Sequence, residues 1–244
     1  MKPIKIFFLT ILFLLLTNCS ENEQEQHIIV GTSADNPPYE FIQDNKIVGL
    51  DIDLIDAIGK QLGKKVIIKN LDFPALLPAL LTKNIDVIVA GIDPTTEREL
   101  HVDFSTPYLT TEVSVLYRAE DSFKSEKDLK GKVIGAGMGT TWLRIANDLS
   151  QKVNIKVVSL ATNLMLVEEL KAKAIDAVIL ETVQSKKFME NNASFNSFLL
   201  NNFSSQFAIA MHKNSPHKKN IDEALKTLKE NGIIDAIKEK WLSQ

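Results

Sequence analysis

The chain has 244 residues, of which 45% are apolar and 24% charged, a composition typical of one or two globular domains and unlike that of a disordered chain. The formal net charge is −3 and no run of five like charges occurs, so a nucleic-acid partner is not expected. The single cysteine excludes an internal disulfide framework and a cysteine-rich metal site. The four histidines show no metal-ligand spacing, so no metal is expected either.

The N-terminus has the pattern of an export signal. Two lysines precede the apolar stretch 6–16, which is too short to span a bilayer. The sequence Leu16-Thr17-Asn18-Cys19 that follows resembles the bacterial lipobox, although the family usually has Gly or Ala where Asn18 stands. We therefore predict a signal peptide at 1–18 and a lipidated Cys19 followed by a polar tether, together 19–27. The alternative is a plain secretory signal in which the cysteine is incidental.

The mature chain alternates predicted strands and helices. In chain order the predictions are a strand at 27–32, a turn-rich loop at 33–39, a helix at 49–62, a strand at 65–69, a helix at 74–83, a strand at 85–90, a strand at 132–136, a helix at 140–149, a strand at 155–159, a helix at 163–172, a strand at 175–180, a strand at 207–211, and C-terminal helices broken at Asn231-Gly232. This order predicts a mostly parallel α/β sheet that is built twice.

The two halves also resemble each other in sequence. Lys83-x-Ile85-Asp86-Val87-Ile88 recurs ninety residues later as Lys173-x-Ile175-Asp176-Ala177-Val178. The apolar faces of the last helices need a partner surface. If the chain returns to cover the first lobe, two connections join the lobes and a cleft lies between them.

Ligands of open α/β sheets lie beyond the carboxyl ends of the strands, and this rule selects the candidate residues. Arg98, one of three arginines, could grip a carboxylate bidentately or could form a surface ion pair with Glu97 or Glu99. Thr140 and Thr141 could form an anion site, or Thr140 could be an ordinary helix N-cap.

Other candidates also have two interpretations. Glu181 follows an apolar strand and could receive an ammonium group or simply begin a helix. Phe73 could be a pocket wall or part of the core. Asp35 and Asp93 could meet a cation or shape turns.

Several motifs resemble one family in their order and spacing. They are Val30-Gly31-Thr32, Pro37-Pro38-Tyr39-Glu40-Phe41, Val48-Gly49-Leu50-Asp51-Ile52-Asp53-Leu54, Phe73-Pro74-Ala75-Leu76-Leu77-Pro78-Ala79-Leu80, Ile85-Asp86-Val87-Ile88-Val89-Ala90-Gly91, Thr96-Glu97-Arg98, Val102-Asp103-Phe104-Ser105-Thr106-Pro107-Tyr108, Leu129-Lys130-Gly131-Lys132-Val133-Ile134-Gly135 and Gly139-Thr140-Thr141. Over residues 27–242 the chain resembles the solute-binding proteins that deliver polar amino acids to ATP-binding-cassette importers.

The resemblance implies a type II periplasmic-binding-protein-like α/β fold with two lobes and two crossover segments. Lobe 1 would comprise 28–112 with 207–244, and lobe 2 would comprise 113–206. By motif match, Arg98 and Thr141 would hold the ligand α-carboxylate, Glu181 and the backbone around Gly91 the α-amino group, and Phe73 the side chain. Ser33, Asn36, Tyr39, Asp93 and Thr140 are expected to complete the site.

Three positions depart from the family pattern. Asn36 replaces a usual aromatic residue, Glu181 a usual Asp, and Asp93 a usual hydroxyl residue. Asp93 and Asp35 make the expected pocket acidic, which favours a cationic side chain: arginine first, then lysine, ornithine and histidine.

The resemblance implies an amino-acid ligand, importer permease subunits as partners, membrane contact through the lipid anchor, a monomer and no cofactor. The location would be the periplasm or the cell surface. The alternatives are a ligand-sensing module and a periplasmic dehydratase-like enzyme in which Glu181 is a general acid.

Overall fold

The computed structural model describes residues 27–242. The predicted signal peptide at 1–18 and the predicted lipidation at Cys19 lie outside the described residues. Within 27–242 no helix is long and apolar enough to cross a membrane.

The strands are short except for two. They are β1 (His27–Thr32), β2 (Asp35–Asn36), β3 (Glu40–Gln43), β4 (Lys46–Val48), β5 (Lys65–Asn70), β6 (Val87–Ile88), β7 (Val102–Phe104), β8 (Leu109–Arg118), β9 (Val133–Gly137), β10 (Lys156–Leu160), β11 (Ala177–Glu181), β12 (Phe195–Phe207) and β13 (Ala210–His212). The helices are α1 (Leu50–Leu62), α2 (Phe73–Leu81), α3 (Thr96–Glu99), α4 (Thr141–Val153), α5 (Asn163–Lys171), α6 (Thr182–Glu190), α7 (His217–Glu230) and α8 (Ile233–Leu242).

Two five-stranded sheets define two lobes. The sheet of lobe 1 has the order β5-β1-β6-β13-β7, and the sheet of lobe 2 has the order β10-β9-β11-β8-β12. In each sheet three strands are parallel, as predicted, but the other two run antiparallel to their neighbours. The expectation of a mostly parallel sheet is therefore corrected to two mixed sheets. The strand β8 enters the lobe 2 sheet from lobe 1 and β13 enters the lobe 1 sheet from lobe 2, and each pairs antiparallel with its neighbours.

The predicted strand–helix units are confirmed, with changes at some boundaries. The strand predicted at 85–90 shortens to Val87–Ile88, and the strand predicted at 207–211 is divided between the end of β12 and β13. The sequence analysis did not predict the long strands β8 and β12 or the small antiparallel sheet β2-β3-β4. Those strands lack the clean alternation of apolar and polar residues that marks a half-buried strand.

The sequence repeat between the lobes is also a structural repeat. The Asp86 carboxylate accepts a hydrogen bond from Ile29 N at 2.8 Å, and the Asp176 carboxylate accepts one from Val133 N at 2.8 Å. Each aspartate anchors the strand that follows it to the first strand of its lobe. Lys83 and Lys173 both have a left-handed backbone, with φ of 61° and 62°.

The apolar cores follow the same division. One core in lobe 2 contains buried residues between Val113 and Leu200, whereas the cores of lobe 1 combine residues up to Tyr108 with residues from Phe207 onward. The C-terminal helices α7 and α8 contribute Ile221 and Ile234 to lobe 1, so the unpartnered faces noted in the sequence are covered there.

A glycine before α1 permits a close backbone contact. Gly49 has φ of 134°, and a Cβ at this position would lie 2.1 Å from the Tyr39 carbonyl oxygen. The contact brings the loop before β3 against the start of α1, where Asp51 N donates to Tyr39 O at 2.9 Å.

We predict that Gly49→Ala lowers the free energy of unfolding by about 2–4 kcal/mol, because it adds both backbone strain and a clash. Gly63→Ala is the matched control, since Gly63 also has positive φ (65°) but a Cβ there would contact nothing within 4 Å. The control should cost only about 1 kcal/mol. Denaturant unfolding measures both, and equal losses would contradict the steric argument.

Candidate functional site

The candidate site is a cavity between the two lobes. It is partly enclosed, and the free space inside it is small, about 20 Å³. Seven candidate residues of the sequence analysis line it: Asp35, Asn36, Phe73, Gly91, Asp93, Thr140 and Thr141. Ser33, Tyr39, Arg98 and Glu181 are not part of the lining and instead support it or lie beside it. A space of this size holds about one water molecule, so an amino acid enters only when the lobes separate.

Arg98 lies at the edge of the cavity and bridges the lobes. Its guanidinium donates to Asp93 O at 2.8 Å within lobe 1 and to Gly139 O at 2.8 Å in lobe 2. Its Cζ lies 5.7 Å from the Phe73 ring centroid, a cation–π distance. Burial lowers the pKa of the guanidinium. The alternative of an ion pair with Glu97 or Glu99 is not formed within the described residues.

Asp93 and Thr141 form a second contact between the lobes. Thr141 Oγ1 donates to Asp93 Oδ2 at 2.7 Å, while Asp93 Oδ1 accepts from Gln206 N at 2.8 Å. Burial raises the Asp93 pKa, and these hydrogen bonds oppose that rise. Thr140 is the N-cap of α4, since its hydroxyl accepts from Leu143 N. Thr140, Thr141 and Trp142 line the cavity, so the N-terminus of α4 lies at its wall.

Asp35 makes the third contact between the lobes. Its Oδ2 accepts from Asn163 N, the first residue of α5, at 2.7 Å. Its Oδ1 accepts from Ser33 Oγ at 3.0 Å, so Ser33 orients the carboxylate from within lobe 1. Burial is the largest influence on the Asp35 carboxyl and raises its pKa.

Glu181 lies at the last position of β11 and caps α6. Its Oε2 accepts from Gln184 N at 2.9 Å, and its Oε1 accepts from Thr111 Oγ1. Burial raises its pKa. Tyr39 is fully buried and packs edge-on against Phe207 at 5.0 Å. The structure thus places Glu181 and Tyr39 near the strands that connect the lobes.

The sequence analysis missed a buried polar cluster on the lobe 1 wall. Glu40 is 1% exposed and lines the cavity, and its Oε1 accepts from Asn36 Nδ2 at 2.9 Å. Asn36 Oδ1 and Glu40 Oε2 are buried acceptors that receive no N–H or O–H donor within the described residues. An acidic residue between Tyr39 and Phe41 was a usable signal, because burying a carboxylate there is costly unless it has a task.

Gly91 joins this cluster to the strand end. Its N–H donates to Asp51 Oδ2 at 2.8 Å, and its φ is 54°. A Cβ at Gly91 would lie 3.1 Å from Asn36 Nδ2 and 3.2 Å from the Phe207 ring. The position therefore needs glycine for both its backbone conformation and the close approach of its neighbours. On the other lobe, Asn163 lines the cavity after β10, a strand end that the sequence analysis did not consider.

Two α/β lobes with a cavity between them define a two-lobed binding protein with the type II periplasmic-binding-protein fold. The sequence model of the bacterial extracellular solute-binding proteins, family 3, matches residues 28–244. The chain belongs to this family. Because the family consists of binding proteins, the dehydratase-like enzyme is set aside.

Individual relatives agree with this assignment. The arginine-binding extracellular protein ArtP of Bacillus subtilis is 30% identical over 93% of this chain and 90% of its own length. An ancestral arginine-binding protein, solved with arginine bound, has a TM-score of 0.84 at 36% identity and covers 88% of this chain and 98% of its own. The arginine-, lysine-, histidine-binding protein ArtJ of Geobacillus stearothermophilus has a TM-score of 0.84 at 32% identity, covering 89% and 96%.

We predict that Asp35→Ala weakens ligand binding by about tenfold, because a hydrogen bond to a charged group holds the lobes together only when they are closed. Ser33→Ala is the matched control, since it removes the partner of the same carboxylate within lobe 1 and leaves the contact with Asn163. Small-angle scattering of Asp35→Ala should show more open molecules at subsaturating ligand. Equal effects of the two variants would contradict a role of Asp35 between the lobes.

Proposed function

We propose that the protein binds a basic amino acid, arginine first, outside the cytoplasm and delivers it to an ATP-binding-cassette importer by closure of its lobes. The observation that carries the proposal is the pair of unpartnered buried acceptors, Asn36 Oδ1 and Glu40 Oε2, on the cavity wall. Buried acceptors without donors are costly, so a ligand rich in N–H groups would be stabilised there.

The ends of the zwitterion have separate candidate partners. We propose that Arg98, Thr141 and the N-terminus of α4 hold the α-carboxylate, since a guanidinium and free helical N–H groups both stabilise an anion. Arg98 would exchange its bond to Gly139 O for the ligand. Glu181 and the backbone around Gly91 are the proposed partners of the α-amino group, with the Glu181 carboxylate leaving Thr111 for this purpose.

The side chain is proposed to lie between Phe73 and the acceptors of lobe 1. A guanidinium carries five N–H donors in a plane, which suits the carboxylate of Glu40 and the amide oxygen of Asn36. Asp93 and Asp35 contribute less to charge recognition than the sequence suggested, because both oxygens of each carboxylate already accept hydrogen bonds. Glu40 is therefore the proposed partner of the ligand's side-chain charge.

The relatives support a basic ligand. Several of them are arginine-binding proteins, and an ancestral arginine-binding protein 36% identical to this chain was also solved with glutamine bound. A fold of this kind therefore accepts both arginine and glutamine. In our proposal, the side chains of the lobe 1 wall determine which of the two binds more tightly.

The lobe boundaries are proposed at 28–112 with 207–244 and at 113–206. The paired segments Leu109–Glu112 and Ser204–Phe207 would serve as the two crossover segments, and the division of the apolar cores supports this. The β8–β12 ladder is interrupted between Leu199 and Ser204, directly beyond these segments. Bending at this interruption would let the lobes separate without breaking either core.

We propose that the protein lies in the periplasm or at the cell surface and that a lipid on Cys19 anchors it to the membrane. We predict that the protein takes up a labelled fatty acid in a bacterial host and partitions into detergent, because several acyl chains bind membranes firmly. The Cys19→Ser variant should neither take up the labelled fatty acid nor partition into detergent, while the neighbouring Ser20→Ala variant should behave as wild type. Failure of the wild-type protein to take up the label would favour a plain secretory signal.

We predict that arginine at 100 times its dissociation constant stabilises the purified protein by about 2.7 kcal/mol in a thermal-shift assay. Lysine, ornithine and histidine should follow with smaller shifts, and citrulline and glutamine should be weakest. A largest shift with glutamine would keep the binding role and contradict the basic preference. No shift with any amino acid would contradict the proposal itself.

Two variants separate the ends of the ligand in the same assay. Arg98→Lys should weaken the binding of every amino acid by about 10–100-fold. The reason is that a lysine cannot form the proposed bidentate contact with the α-carboxylate, which all amino acids have in common. Glu40→Gln should weaken arginine by a similar factor and leave glutamine within about threefold. If both variants affect arginine and glutamine equally, Glu40 does not read the side chain.

A further inference from the structure

Two carboxyl groups meet in the wall of the cavity. Glu40 begins β3 and is 1% exposed, while Asp51 lies in the first turn of α1 and is fully buried. Both side chains belong to one buried network: Asn36 Nδ2 donates to Glu40, Gly91 N donates to Asp51, and a Cβ at Gly91 would lie 3.1 Å from Asn36 Nδ2. Two negative charges buried side by side are unfavourable, so we expect one of the two carboxyl groups to carry a proton.

The numbers of hydrogen bonds that the two groups accept indicate that Glu40 carries the proton. Asp51 accepts from Gly91 N at 2.8 Å and from Tyr108 Oη at 2.8 Å, two donors that stabilise a carboxylate. Glu40 has one donor, Asn36 Nδ2. Burial raises the pKa of Glu40 well above its ordinary value and that of Asp51 to about 6.

The groups that face the pair from other elements do not supply a positive charge. Asp35 of β2 and Asp51 of α1 both raise the Glu40 pKa by charge repulsion. Tyr39 and Tyr108 are buried phenols whose own pKa values are raised, so they stay neutral. Arg98, the cation nearest the cavity in the hydrogen-bond network, donates to the carbonyls of Asp93 and Gly139.

We propose that the Glu40–Asp51 pair holds one proton in the ligand-free protein and releases it to solvent when a cationic side chain enters the cavity. The pair would then distinguish ligands by charge, because a basic amino acid replaces the proton as the positive partner, whereas a neutral amino acid leaves the proton in place. This inference rests on the proposed function, since it assigns the side-chain charge to Glu40.

The sign of the pH dependence follows from linkage. The Glu40 pKa is raised in the free protein, and a cation beside it lowers that pKa in the complex. Between those two values, arginine binding releases a proton and strengthens as pH rises, by up to about tenfold per pH unit. Above the raised value the dependence disappears, because the free protein has already lost the proton.

The experiment is calorimetric titration of the purified protein with arginine at pH 5.5–7.5, in buffers that differ in ionisation enthalpy. The expected result is release of up to one proton per arginine and a dissociation constant that falls as pH rises. Citrulline has nearly the same shape as arginine without its charge, and it should release no proton. Arginine and citrulline have the same α-amino and α-carboxylate groups. The difference between their proton release therefore excludes any protons that titrate at the α-amino end of the site.

Glu40→Gln tests the source of the proton, because glutamine keeps the shape of the side chain and can donate to Asp51. Arginine binding to this variant should become independent of pH within about twofold and release no proton. Asp35→Asn and Asp93→Asn, which alter other carboxyls of the cavity wall, should still release it. Loss of proton release in either of these variants, with retention in Glu40→Gln, would overturn the proposal.

Failure of this inference differs from failure of the proposed function. If arginine binds with no proton release and a flat pH profile in the wild type, the proton exchange is wrong and the binding role stands. If arginine produces no binding heat and no thermal shift, the proposed ligand is wrong. Because the comparison of arginine with citrulline uses only the wild type, poor folding of Glu40→Gln would not prevent the test.

Discussion

The buried carboxylate of Asp51 connects the elements on which the site depends. It lies in the first turn of α1, accepts the N–H of Gly91 after β6, and accepts the hydroxyl of Tyr108 just before β8. A helix, a strand end and the entry to a crossover segment are thus held by one fully buried group. Because a charged acceptor without its donors would be strongly destabilising in this interior, the three elements must keep their relative positions.

The two lobes solve the same packing problem with the same local structure. In both lobes, a helix ends in a turn that contains a lysine with a left-handed backbone. Three residues after this lysine, an aspartate accepts a hydrogen bond that ties the next strand to the first strand of the lobe. The lobes differ where they face each other. Lobe 1 supplies the acidic wall with Glu40 and Asp35, whereas lobe 2 supplies the helix N-terminus at Thr140. A common scaffold therefore carries different electrostatic features on the two surfaces that face each other.

The sequence predicted the regular parts of this structure because local patterns determine them. The β1–α1–β5 unit and the end of α1 at Gly63 follow from apolar periodicity and a left-handed cap. The pairing of β8 with β12 joins residues 77 to 98 positions apart, from Arg118 with Phe195 to Leu109 with Phe207, which no local pattern encodes. In the site, Phe73, Asp93 and Thr141 were predicted from strand ends and family motifs. Glu40 was missed because its burial and its bond to Asn36 arise from the tertiary structure, and no local pattern of apolar and polar residues marks them.

The enclosure of the cavity has a kinetic consequence. A ligand held behind Asp93 and Asp35 cannot diffuse away while these residues keep their partners in the other lobe. Its residence time is therefore set by how often the lobes part, and not by the strength of any one contact with the ligand. Any surface that pulls the lobes apart would act as a release trigger, converting a long-lived complex into a short-lived one without touching the bound molecule.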